Sequence, residues 1–194
     1  MMNRRISLSL AAATAAVALC ALGACSASSQ TPAAPKVVSM DASWAQYYHS
    51  MSDLKAHTDV AVEGTITKAT LDPRASSTDT PFTDFQFTVG STYFDPHNRI
   101  AAATVASKPV VLTIHQTGGT VNGTTYQIDD DPLLVVGQKY VLFLREYSPG
   151  HYMVAGGPTG RFAVAASGAV TPIVSDGVRF TGTLPAMSQA IKTS

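Results

Sequence analysis

Hydrophobic and polar residues alternate with a period of two over much of the chain beyond residue 60. In DFQFTV (84–89), every second residue is large and apolar, which is typical of a strand that buries one face. The segment YVLFL (140–144) is apolar throughout, so we expect a central strand covered on both faces. Similar runs at 60–67, 110–115 and 151–172 raise the expected total to seven or eight short strands.

Turn residues separate these predicted strands. Asn122-Gly123 is the strongest hairpin signal, because a type I′ turn requires positive φ at both central positions. Gly64 interrupts the first strand, as at a β-bulge, and the GGP run at 156–158 predicts another turn. The acidic run at 129–131 is expected to end a strand in solvent.

Before the strands, the hydrophobic period becomes helical over residues 41–57. The apolar positions of this segment are Trp44, Tyr47, Tyr48, Met51 and Leu54. Their spacing predicts one short amphipathic helix that packs on a sheet, with an exposed aromatic binding face as the alternative. Residues 184–191 are expected to form a last helical turn. The sum of these elements predicts a mainly all-β protein, with an antiparallel sheet closed or nearly closed into a barrel.

The first residues predict export from the cytoplasm. Two arginines, Arg4 and Arg5, precede an uncharged apolar run at 6–22, which is the pattern of a secretory signal. The run ends in LGAC (22–25), which resembles the lipobox of bacterial lipoproteins. The resemblance implies cleavage between Ala24 and Cys25 and attachment of a diacylglyceryl group to the Cys25 sulfur. The alternative is an ordinary secretory signal that happens to contain Cys25.

The lipobox reading divides the chain into three parts. Residues 1–24 would be the signal peptide, residues 25–40 a flexible tether, and residues 41–194 a single β-rich domain. We therefore expect an exported protein that is lipid-anchored to the cell membrane on its extracytoplasmic face, with the membrane as its first partner.

Charge and cysteine content exclude several classes of function. The chain has 13 Lys and Arg against 13 Asp and Glu, and removal of Arg4 and Arg5 with the signal leaves 11 against 13. This balance provides no basic field for nucleic acid, so no nucleic-acid partner is expected. The two cysteines, Cys20 and Cys25, both lie in the first 25 residues. Thiol catalysis, cysteine zinc sites and disulfides are therefore not expected in the exported domain.

Three further segments resemble a family of uncharacterised bacterial envelope proteins: DVAVEGTI (59–66), GQKYVLFL (137–144) and GGPTGRFAV (156–164). The strand order is also distantly similar to the netrin-like, OB-type barrel of metalloproteinase inhibitors. This likeness implies an OB-like or netrin-like closed barrel of six to eight short strands with a short N-terminal helix. Inhibition through a free terminal cysteine amine is not expected, because Cys25 would be acylated and lie far from the barrel.

No motif in the sequence predicts an enzyme. A Gly-x-Ser-x-Gly elbow is absent, the five histidines show no metal-ligand spacing, and Glu63 is expected on an outward polar face. We therefore assign no catalytic residue, no metal ligand and no cofactor.

The function expected from the sequence is a non-enzymatic binding or assembly module for an unknown protein or envelope polymer. By analogy with OB-like barrels, its ligand would contact the loops at 72–81, 95–107 and 118–123. The first alternative is an envelope hydrolase with a Ser/His/Asp site, in which a serine lies beside His57, His97, His115 or His151. The second is a structural lipoprotein with an exposed apolar patch around Trp44, Tyr47 and Tyr48.

Overall fold

A computed structural model describes residues 36–42, 44, 46–72, 80–103 and 108–194, all within one compact unit, Ala34–Ser194. The predicted signal peptide, its cleavage site between Ala24 and Cys25, and the predicted tether up to residue 35 lie outside the described residues. The described part of that tether, Lys36–Met40, forms the first β-strand.

The described residues form eleven β-strands, three α-helices and one 3-10 turn. The strands are β1 (Lys36–Met40), β2 (Val60–Leu71), β3 (Phe82–Phe94), β4 (Val111–Thr117), β5 (Gly119–Val121), β6 (Thr124–Ile128), β7 (Lys139–Ser148), β8 (His151–Val154), β9 (Arg161–Val164), β10 (Ala169–Pro172) and β11 (Gly182–Thr183). The helices are α1 (Met51–Ala56), α2 (Arg99–Ala103) and α3 (Leu184–Thr193), and the 3-10 turn is Gly157–Gly160.

Five strands close into a barrel in the order β2, β3, β4, β8, β7. All neighbours in the ring are antiparallel except β4 and β8, which pair in parallel, and β7 returns to β2 to close the ring. The predicted all-β, OB-like barrel is confirmed, although five strands rather than six to eight close it. Strands β9, β10 and β11 extend the sheet from β7, and β1, β6 and β5 form a separate three-stranded sheet.

Two hydrophobic clusters explain why β2 and β7 are buried on both faces. One cluster fills the barrel and includes Val62, Phe87 and Leu142. The other lies outside the barrel, where the apolar side chains of α1 and α3 cover Ala61 and Val141. The prediction of a central strand at 140–144 is therefore confirmed, and α3 is longer than the single turn expected at 184–191.

The expectation for Glu63 is wrong, because its strand face is covered rather than open. Glu63 is 5% exposed, and its Oε1 lies 2.8 Å from Lys139 Nζ. The alternation of polar residues in β2 is the signature of an open face, but the second cluster packs over that side of the sheet.

The helix predicted over 41–57 is confirmed only for its last part, α1. Ser50 begins it as the N-cap, with its Oγ accepting a hydrogen bond from Asp53 N at 3.1 Å. The described residues before Ser50 are not helical. Tyr48 is 3% exposed, so Trp44, Tyr47 and Tyr48 do not form the exposed patch of the structural-lipoprotein alternative.

The rings before α1 pack directly on the backbone of the GGP turn. A Cβ on Gly156 would lie 2.6 Å from the Tyr48 ring, and one on Gly157 would lie 2.4 Å from the Trp44 ring. Both glycines also have positive φ, at 64° and 55°. The turn predicted at 156–158 is confirmed, and its glycines allow two aromatic rings to approach the main chain.

The acidic run at 129–131 is not a solvated strand end, because Asp131 is buried. Arg161 is 2% exposed, and its Nη2 lies 3.0 Å from Asp131 Oδ1 and donates to the Pro132 carbonyl oxygen at 2.7 Å. The Gln116 amide nitrogen also donates to the carbonyl oxygens of Asp131 and Pro132. These contacts join the loop before β7 to strands β4 and β9.

Candidate functional site

Four aromatic rings form a continuous row on the outer surface of the barrel. Phe82 on β3 stacks on His115 on β4, with centroids 4.9 Å apart and planes 12° from parallel. The Tyr147 ring on β7 is next, with its centroid 6.0 Å from that of His115. The His151 ring on β8 follows, with its centroid 6.0 Å from that of Tyr147. We call Phe82, His115, Tyr147 and His151 the ring row.

Strand alternation and register place these rings together. Asp84 pairs with His115 across β3 and β4, and Thr113 pairs with His151 across β4 and β8. The alternate residues on the same strands, such as Ile114 and Tyr152, point into the barrel and are buried. The ring row therefore crosses the sheet diagonally, from the start of β3 to the turn between β7 and β8.

Polar contacts orient the row. Asp84 Oδ1 lies 2.7 Å from His115 Nδ1, which sets the plane of the imidazole against Phe82. Gln86 Nε2 donates to Thr113 Oγ1 at 3.3 Å on the same surface. Partial burial, together with the negative charge of Asp84, raises the pKa of Tyr147, so its hydroxyl is protonated at neutral pH.

A narrow cavity of about 40 Å³ adjoins the row, with His115 and Met153 in its wall. Trp44, Gln116 and Asp131 also line it, and Trp44 Nε1 donates to the Asp130 carboxylate at 3.0 Å. The volume suits one or two water molecules rather than a ligand. We therefore place the candidate binding surface on the open ring row and not in this cavity.

An ion-pair network supports the end of the row. Arg99 binds two carboxylates, with Nη1 2.6 Å from Glu146 Oε2 and Nη2 3.1 Å from Asp59 Oδ1. Glu146 Oε1 accepts a hydrogen bond from Gly150 N at 3.0 Å, and Asp59 Oδ2 accepts one from Glu146 N at 2.9 Å. The network thereby fixes the β7–β8 turn that carries Tyr147 on one side and His151 on the other.

Tyr152, on the inner face of β8, gives a pH-dependent prediction. Burial and the negative charge of Glu146 raise its pKa to about 12, above the value of about 10 in an unfolded chain. The folded state therefore retains a proton that the unfolded state loses, so stability falls as the pH rises from 10 to 12. We expect a loss of roughly 2 kcal/mol in the free energy of unfolding over this interval.

Urea unfolding at pH 9.5 and 11.5 measures this loss. Tyr152→Phe is the matched control, because it keeps the buried ring and removes the titrating hydroxyl. The wild type should lose more stability than the variant between the two pH values. Equal losses in the two proteins would contradict the assignment.

Two of the three loops predicted from the sequence lie at the Phe82 end of the row. Gly118 N donates to the Pro81 carbonyl oxygen at 2.7 Å, which joins the loops at 72–81 and 118–123. The third loop, 95–107, contains α2, whose Ile100 is buried in the barrel cluster. Residues 73–79 and 104–107 of these loops lie outside the described residues.

The histidines of the hydrolase alternative have other neighbours. His57 stacks on Tyr48, with centroids 5.1 Å apart, while His115 and His151 belong to the ring row, and His97 lies in the turn before α2. Among the residues that the structure describes, no histidine ring is hydrogen-bonded to a serine hydroxyl. In the same part of the chain, no group of three or more His, Cys, Asp or Glu side chains is arranged to bind a metal ion.

Sequence reasoning did not identify the ring row as a site. The available signal was the presence of rings at outward positions, such as His115 in β4 and Tyr147 after the apolar core of β7. The row needs register as well, because its members lie on four strands separated by up to 69 residues of sequence.

Two further findings bear on the identity of the protein. No helix in the described part of the chain combines the length and the hydrophobicity that crossing a lipid bilayer requires. Neither a protein-family model nor a curated protein sequence matches this chain.

Proposed function

We propose that this chain is an exported lipoprotein, anchored through Cys25 to the extracytoplasmic face of the cell membrane, and that it is a non-enzymatic binding module. The observation that carries the binding role is the ring row. It lies on the face of β3 and β4, between the loop before β3 and the β7–β8 turn, and OB-like barrels use a sheet face and the loops around it for ligands. Its open aromatic surface is of the kind that marks an interaction site rather than a core.

The anchoring role rests on the LGAC segment. Ten residues, 26–35, separate Cys25 from β1, so Cys25 and Lys36 can be at most about 40 Å apart. Lys36 pairs with Thr124, beside the Asn122-Gly123 turn, so the anchored segment would enter the three-stranded sheet at the tip of the β5–β6 hairpin. The ring row begins at Phe82, near the base of that hairpin, and would lie within the cell envelope.

The anchor is tested by the intact mass of the protein extracted from membranes of an expressing bacterium, with Cys25→Ser as the control. Two or three acyl chains bind a bilayer essentially irreversibly, so the anchored protein should be recovered in the membrane extract. Its mass should equal that of residues 25–194 plus the acyl chains. The acyl mass should be absent from the Cys25→Ser protein. A lipid-free mass that starts at another residue would contradict the anchor.

Binding is tested on the same detergent-solubilised protein by cosedimentation with lipid-free envelope polymer. Tyr147→Ala should reduce the sedimented fraction, since Tyr147 is 53% exposed in the middle of the row. Val136→Ala is the matched control, because Val136 is 52% exposed but precedes the opposite end of β7. Equal sedimentation of the two variants would contradict binding through the ring row.

A further inference from the structure

The ring row offers open apolar surface in a setting that is otherwise polar. Tyr147 is 53% exposed and His151 is exposed, and Met153, which pairs with Arg145 across β7 and β8, is 44% exposed. The flat face of an aromatic ring fits a ligand that presents a flat set of C–H groups, such as a pyranose ring. A ligand that covers the exposed rings removes apolar surface from water, which favours binding.

Hydrogen-bonding groups flank the rings. The carboxylate of Asp84, the amide of Gln86 and the hydroxyls of Thr113 and Thr117 all lie at outward positions of β3 and β4. A carboxylate has two oxygens and about four lone-pair directions, so Asp84 can bind His115 and still accept from a ligand hydroxyl. Alternating donors and acceptors beside aromatic rings suit a polyhydroxylated ligand.

The charge of this surface disfavours an anionic polymer. Strands β3, β4 and β8 contain no lysine and no arginine, and the carboxylate of Asp84 lies beside the row. The neighbouring cations, Lys68 opposite Gln86 and Arg145 opposite Met153, lie on different sides of the row and do not form a continuous cationic path. Nucleic acids and other polyphosphates need several cationic side chains along their path, in addition to stacking rings. A neutral ligand has no such requirement.

We infer that the ring row binds a neutral polysaccharide of the cell envelope, a chain of uncharged pyranose units that lies across β3, β4, β8 and the end of β7. This inference rests on the proposed function and specifies its ligand. The row extends through three consecutive ring contacts of 4.9, 6.0 and 6.0 Å, so it fits several sugar units better than one. Tyr147 supplies the largest open ring, and Asp84 and Gln86 supply the hydrogen bonds.

Calorimetric titration of the detergent-solubilised full-length protein tests the inference, in a detergent that lacks a sugar headgroup. The probes are maltohexaose, cellohexaose and chitohexaose, with hexagalacturonate and single-stranded DNA as anionic comparators. At least one neutral hexamer should bind, and Tyr147→Ala should weaken it about tenfold or more. Val136→Ala should leave the affinity unchanged, and circular dichroism should show both variants folded, because both side chains are surface residues.

The possible outcomes distinguish an error in the ligand class from an error in the proposed function. Binding of a neutral hexamer that depends on Tyr147 supports the inference. Preference for an anionic comparator, or equal affinity of Tyr147→Ala and wild type, overturns it. If no hexamer binds while envelope cosedimentation still requires Tyr147, the ligand class is wrong and the proposed function stands. If neither assay depends on Tyr147, both are overturned.

Discussion

Replacement of Arg161 by methionine is expected to lower the free energy of unfolding by about 3–5 kcal/mol at neutral pH. Arg161 is 2% exposed, and its Nη2 lies 3.0 Å from Asp131 Oδ1. Without it, the Asp131 carboxylate would remain buried with no counter-charge, and Pro132 would lose a hydrogen bond to its carbonyl oxygen. Urea unfolding of the two proteins under identical conditions measures the difference.

The pH dependence of this loss tests its cause. Burial raises the pKa of Asp131, and the positive charge of Arg161 opposes that effect, so the Arg161→Met protein should have a still higher Asp131 pKa. A carboxyl whose pKa is higher in the folded than in the unfolded state favours folding at low pH and loses that benefit as the pH rises. The deficit of the variant should therefore shrink below pH 5.

A double variant, Arg161→Met with Asp131→Leu, is the matched control for the buried charge. Most of the lost stability should return, because a buried ion pair replaced by apolar side chains of similar size is often neutral or better. The ion pair of Arg161 and Asp131 is also imperfectly hydrogen-bonded. Asp131 Oδ1 accepts no hydrogen bond of good geometry, and Arg161 Nε and Nη1 have no hydrogen-bond partner within the described residues. A double variant no more stable than Arg161→Met would contradict this account.

Gly64→Ala is expected to cost about 3 kcal/mol or more, or to prevent folding, for a purely steric reason. A Cβ at this position would lie 2.2 Å from the Thr88 carbonyl oxygen and 2.8 Å from the Phe87 ring. The carbonyl belongs to the paired strand β3, at the register shift between Glu63 and Gly64, so it cannot move away without disrupting the barrel. Thermal and urea unfolding measure the cost.

Gly123→Ala separates steric from conformational effects. Gly123 has φ of 76°, but nothing lies within 4 Å of the position a Cβ would occupy. Its replacement should cost only about 1 kcal/mol, as expected for a residue forced into the left-handed region. Similar losses at Gly64 and Gly123 would show that the close approach at Gly64 is relieved by small local shifts.

The sequence by itself determined most of the strands after residue 60 and several of the turns, but not β1, which lies in the segment expected to be a tether. Phe85 and Phe87 alternate with Asp84 and Gln86, and the structure buries the first pair and leaves the second half-exposed. Asn122 and Gly123 adopt the positive φ angles, 49° and 76°, that their hairpin turn requires. Side-chain alternation and backbone dihedral preference are properties of neighbouring residues, so they can be read without knowledge of the fold.

The tertiary structure decided the backbone conformation of the segment before α1. The spacing of Trp44, Tyr47 and Tyr48 fits a helix, yet Trp44 and Tyr48 contact the backbone of Gly157 and Gly156, more than one hundred residues later. A short helix has little intrinsic stability, so packing on a distant turn outweighs it.

Burial of charge and assembly of the site also depended on the tertiary structure. Glu63 and Asp131 look like solvated acids in the sequence, but a helix-covered sheet face and the side chain of Arg161 enclose them. The ring row requires the register that sets Asp84 opposite His115 and Thr113 opposite His151. Local sequence thus determined which residues form strands and face outward. Register and barrel closure decided which outward residues became neighbours, because both depend on contacts between distant parts of the chain.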